Sequence, residues 1–125
     1  MHALRPFARI LGIAAFAAAL AGLPAQAQSQ FDGTWSVLIV TETGECDRAY
    51  RYGIRIQSGQ IIYDGEAGVS FTGRVESNGH VTAAVGRGQQ RATGSGRLSG
   101  NIGVGTWRGQ SNTGACGGRW EAERR

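Results

Sequence analysis

The chain has 125 residues, of which 13 are basic and 9 acidic, a formal charge of +4. Hydrophobic residues make up 41%, with 21 glycines and 2 prolines, a balance that excludes collagen-like or purely polar disordered chains and leaves room for one small domain. Every basic residue is arginine, and the arginines are scattered rather than blocked, which argues against a nucleic-acid groove.

In chain order, Met1 to Arg9 carries Arg5 and Arg9 without an acid, Ile10 to Leu23 is uncharged and apolar, and Ala25-Gln26-Ala27 offers a small-residue cleavage site before Gln28. This pattern predicts a secretory signal peptide over residues 1–27, with an apolar run shorter than the roughly 20 residues a spanning helix needs. The expected working protein is a single domain over residues 28–125, periplasmic or secreted, monomeric, with no membrane span. Without Arg5 and Arg9, 11 arginines face 9 carboxylates, a charge of +2.

Beyond Gln28, proline is absent, and short alternating runs of valine, isoleucine, threonine and aromatics are separated by turn residues. The alternation predicts eight strands, near 33–42, 49–57, 60–64, 69–77, 80–86, 90–98, 102–109 and 116–123. In the second, Tyr50, Tyr52, Ile54 and Ile56 share one face and Arg51, Gly53 and Arg55 the other. In the fourth, Val69, Phe71, Gly73 and Val75 face inward. The sixth offers only Ala92, Gly94, Gly96 and Leu98 to the interior, which predicts a tightly curved wall or close approach by a bulky neighbour such as Trp107.

Ser58-Gly59, Ser77-Asn78-Gly79 and Ser99-Gly100-Asn101 read as tight hairpin turns. The alternate connections, Thr43 to Arg48, Asp64 to Gly68, Gly86 to Gln89 and Gln110 to Ala115, read as looser and more polar. In an up-and-down meander the two kinds fall at opposite ends. Cys46 and Cys116 then share the loop-rich end, and an even pair in an oxidising compartment forms one disulfide. They meet only if the first and last strands are neighbours. The expected fold is therefore an all-β, eight-stranded antiparallel up-and-down barrel, with a flattened β-sandwich as the alternative.

Phe31-Asp32-Gly33-Thr34-Trp35 resembles the Gly-x-Trp start of calycin-type barrels, the group that includes lipocalins, avidins and bacterial periplasmic inhibitors. The resemblance implies that Trp35 closes the tight-turn end and that Arg124 or Arg125 packs over it. Gly33-Thr34-Trp35-Ser36-Val37, Cys46 to Tyr52 and Gly118 to Arg125 are also similar to a set of small exported alphaproteobacterial proteins of unknown function, some with names alluding to haem utilisation or adhesion. After residue 27 the only histidine is His80, and methionine and Cys-x-x-Cys-His are absent. The usual haem ligands are therefore nearly absent, and the facing acidic loops lack the spacing of a calcium loop, so the reading is of no cofactor and no metal.

The catalytic inventory is poor. His80 sits in a tight turn, both cysteines are committed to the disulfide, and no nucleophile motif occurs, so the reading is of a protein that is not an enzyme. Loops on a rigid barrel are where recognition residues usually sit, and Asp47, Arg48, Arg87 and Arg91 are the candidate partner-binding residues. The leading function is an exported binding module, in one form an inhibitor of a hydrolase acting through the loops around the disulfide, with a periplasmic or extracellular protein as partner. One alternative is a carrier holding a small apolar or aromatic ligand against Tyr52, Tyr63, Phe71 and Trp107. The other is a structural envelope protein without a specific ligand.

Overall fold

The computed structural model describes residues 30–125, and the expected signal peptide lies outside the described residues. Eight strands follow one another: β1 (Gly33–Thr43), β2 (Ala49–Gln57), β3 (Gln60–Ile62), β4 (Val69–Val75), β5 (His80–Arg87), β6 (Gln90–Ser99), β7 (Ile102–Ser111) and β8 (Gly114–Arg124). Each pairs antiparallel with its neighbours in sequence, and β1 also pairs with β8, closing the sheet into an up-and-down barrel. Closure leaves no sheet edge to template aggregation. It also settles the choice between barrel and sandwich in favour of the barrel.

Alternation drives the architecture. On β2, Tyr52, Ile54 and Ile56 are buried while Arg51, Gly53 and Arg55 are exposed. They meet Trp35 and Val37 of β1, Ile61 of β3, Phe71 and Val75 of β4, Val81 of β5, Leu98 of β6, and Trp120 and Ala122 of β8 in one core. The narrow interior is filled mainly by side chains, as expected of a small eight-stranded barrel. No helix among the described residues is long and apolar enough to cross a membrane.

The glycine stripe of β6 has a different partner from the one expected. Trp107 approaches it at Gly94, where an added Cβ would lie 3.5 Å from the Trp107 Cβ. The indole of Trp120 instead lies over Gly96 and Gly105, where any Cβ would collide with it, and donates to the Ser95 carbonyl at 3.1 Å. Bulk on β8 is thus matched by its absence on β6 and β7, as a close-packed interior requires.

The loop-rich end of the barrel also differs from expectation. Gly86 to Gln89 and Gln110 to Ala115 are not loose loops. Arg87 pairs with Gln90, and Ser111 with Gly114, leaving two-residue turns at Gly88-Gln89 and Asn112-Thr113. Gly88 takes φ +60°, the positive value that a two-residue hairpin favours at its first turn position. Only the β1–β2 and β3–β4 connections are long at that end. β3 and β4 are shorter than expected, and Tyr63 to Gly68 turns away from the ladder as a loop, with the Val69 N–H donating to the Glu66 carbonyl at 3.3 Å.

Candidate binding mouth

The Cys46–Cys116 disulfide joins the β1–β2 connection to the start of β8, with the Cα atoms 6.0 Å apart. It clamps the barrel seam at the end carrying the two long loops. Thr41, buried near the end of β1, grips the same connection twice. Its N–H donates to the Arg48 carbonyl at 2.9 Å, and its hydroxyl donates to the Asp47 carbonyl at 2.6 Å. Asp47 is therefore held at the mouth, and its carboxylate accepts a hydrogen bond from the Tyr50 hydroxyl.

Tyr50 leads into an aromatic column. It stacks on Tyr52 at 6.0 Å between ring centres, and Tyr52 meets Tyr63 and Phe71 edge-on at 5.7 and 5.5 Å. Arg87, the last residue of β5, lies over the Tyr50 ring at 4.7 Å and pairs with Glu66 of the β3–β4 loop at 3.4 Å. One arginine thus ties the two long loops together across the mouth. On the opposite wall, Trp107 donates its indole N–H to the Val40 carbonyl at 2.9 Å.

Titration follows from these contacts. The hydrogen bond to Asp47 holds the Tyr50 proton and raises its pKa above the ordinary phenol value, assisted by burial and partly offset by the Arg87 charge. Tyr52 is raised mainly by burial, and Arg87 again opposes the shift. Both rings are neutral at physiological pH, so the mouth presents aromatic faces beside Asp47, Glu66, Arg87 and Arg91.

Asp47, Arg87, Arg91, Tyr52 and Trp107 line one mouth cavity of about 70 Å³, together with Thr41, Tyr50 and Gln90. Arg48 is exposed and serves the loop through its carbonyl. Of the four residues proposed for an apolar ligand, Tyr52 and Trp107 belong to this cavity, Phe71 lines a deeper one of about 60 Å³, and Tyr63 packs against the core. Tyr52, Tyr63 and Phe71 thus pack on one another, while Trp107 shares the mouth cavity with Tyr52 alone of the three. Tyr50, Glu66, Thr41 and Gln90 complete the mouth. Tyr50 was legible as the partner of Tyr52 in the β2 alternation, but Thr41 carries no sequence signal for its grip on the loop.

At the far end, Arg124 and Trp35 come together while Arg125 stays exposed. Comparison of the chain with protein-family models, with curated proteins and with solved structures found no match. The fold and its mouth therefore define the class of protein on their own: a small, disulfide-clamped, closed antiparallel β-barrel.

Proposed function

We propose that the protein is an exported, non-catalytic binding module that engages a periplasmic or extracellular protein through the mouth around the disulfide, and that it inhibits a hydrolase. The observation that carries this reading is the fixed constellation of Asp47, Tyr50 and Arg87 above a largely filled barrel. Preorganised polar and aromatic groups on a rigid rim suit a protein partner, because little ordering cost is left for association. Three of the carboxylates at this end are engaged: Asp47 with Tyr50, Asp64 with Arg55 at 2.8 Å and Glu66 with Arg87. That supports recognition over acid–base chemistry.

Interior volume counts against a carrier. Cavities of about 60 and 70 Å³ fall well below the roughly 300 Å³ of ordinary ligand pockets. The Gly-x-Trp resemblance to periplasmic inhibitor barrels agrees with the proposal but stands as analogy.

The test is capture from periplasmic and culture-supernatant extracts on immobilised wild type and on an Asp47→Ala/Arg87→Ala variant. The expected result is a hydrolase retained by wild type alone, whose activity falls on stoichiometric addition of wild type and not of the variant. Equal, empty recoveries on both columns overturn the proposal.

A further inference from the structure

The barrel wall opposite in character to the mouth is the outer face of β4 to β7. Val69 to Ser111 contains five arginines and a single carboxylate, Glu76, which lies in the turn after β4. Arg87 belongs to the mouth, and Arg91 borders both the mouth cavity and this wall. The other four, Arg74, Arg91, Arg97 and Arg108, are all exposed, and none forms an ion pair among the described residues.

Strand register arranges them. Arg74, Thr82, Ser95 and Thr106 form one row across β4, β5, β6 and β7. Thr72, Ala84, Thr93 and Arg108 form the next, and Ser70, Gly86, Arg91 and Gln110 the one nearest the mouth. Arg97 lies beyond the first row, opposite His80 and Val104. Adjacent strands are about 4.8 Å apart, and diagonal neighbours such as Arg91 and Arg108 about 7–8 Å. Guanidinium groups are thus distributed among hydroxyls over a wall with no outward carboxylate.

Shallow depressions run between these side chains. One of about 400 Å³ is bordered by Arg91, Thr93, Arg108 and Gln110, and one of about 310 Å³ by Thr93, Ser95, Thr106 and Arg108. They share Thr93 and Arg108 and so form a continuous track across β6 and β7.

We propose that this wall binds a linear acidic polysaccharide, with the arginines holding carboxylate or sulfate groups and the serine and threonine hydroxyls hydrogen-bonding the sugar. Forked guanidinium donors match planar and tetrahedral oxyanions. Apart from the His80 imidazole beside Arg97, the wall has no outward aromatic ring on which bases could stack, which disfavours single-stranded nucleic acid. The exposed aliphatics of this region, Ile102 and Val104, sit beside Glu123 and Glu121 of β8. Carboxylates there repel an anionic bilayer at the place where, among the described residues, large apolar side chains are exposed.

The test is titration of the whole domain with size-defined heparin and polygalacturonate oligosaccharides at low salt, against single-stranded DNA and anionic phospholipid vesicles. An Arg91→Gln/Arg108→Gln variant is compared with an Arg51→Gln/Arg125→Gln variant that removes the same charge elsewhere, and circular dichroism checks that both are folded. The expected result is oligosaccharide binding that weakens roughly tenfold in the wall variant, as loss of two charge-assisted contacts implies, and by less than about twofold in the control. Absence of oligosaccharide binding, equal weakening in both variants, or tighter binding to DNA or vesicles overturns the proposal.

Discussion

The guanidinium of Arg124 stands over the indole of Trp35, 5.0 Å from the ring centre, and sews three chain segments together at the tight-turn end of the barrel. It donates to the Asp32 carbonyl at 2.7 Å, to the Gln30 and Gly100 carbonyls at 3.0 and 3.1 Å, and to the Asn101 side chain at 3.0 Å. Trp35 beneath it is fully buried and donates to the Phe31 carbonyl at 2.9 Å. Of the two C-terminal arginines, Arg124 is the one that packs on Trp35, while Arg125 is exposed.

Arg124→Ala should therefore cost about 2–4 kcal/mol, combining a cation–π contact with several hydrogen bonds to carbonyls. Arg124→Lys should recover only a minority of that, because an ammonium cannot fork to four acceptors. Arg125→Ala should be neutral within about 0.5 kcal/mol. Urea denaturation of the three variants checks the order; a lysine variant as stable as wild type would contradict it.

A second prediction concerns Trp120. A methyl group at Gly105 collides with its indole and with the Ser95 carbonyl, whereas one at Gly53 meets nothing within 4 Å. Gly105→Ala should destabilise by about 2–3 kcal/mol through overpacking, while Gly53→Ala should be neutral or slightly stabilising. Thermal melts of the pair decide, and equal melting temperatures would refute the account of the glycine stripe.

These particulars show what sequence carries and what it does not. The inward Tyr52, Ile54 and Ile56 were legible because strand alternation puts every second side chain on one face. Which tryptophan fills the space above Gly96 was not, because it depends on how far β8 is shifted against β7. The same holds for the mouth. Asp47 and Tyr50 are three residues apart, yet Arg87 reaches Tyr50 only once the barrel has closed. The arginines of β4 to β7 looked scattered along the chain for this reason too; only register brings them onto one wall.

The mouth tyrosines predict a pH dependence. Tyr50 and Tyr52 hold their protons more tightly in the folded protein than in the unfolded chain. Below about pH 10 both states are protonated and stability does not change on this account; above it the unfolded chain releases protons first, so stability falls until the folded phenols also ionise. Absorbance titration near 295 nm should show Tyr50 and Tyr52 ionising later than a free phenol does. Arg87→Gln should delay them further, since the guanidinium charge opposes the shift; an earlier ionisation would contradict the geometry.

The disulfide connects stability to the proposed site. Cys46 and Cys116 are 70 residues apart in sequence, and a crosslink closing a loop of that size contributes about 4 kcal/mol in the chain-entropy picture. Replacing both by serine should remove much of that contribution, and the loss should not be uniform. Cys46 belongs to the connection that presents Asp47, whose carboxylate accepts from Tyr50, and Tyr50 in turn underlies Arg87. Amides of the β1–β2 connection and the start of β8 should exchange first, with the Arg87–Tyr50 arrangement loosening alongside them. The Trp35–Arg124 end has its own fastening and should keep its protection longer. Hydrogen exchange on oxidised protein and on the serine variant distinguishes the outcomes, because deprotection spread evenly over all eight strands would mean that the crosslink stabilises the barrel without organising the mouth.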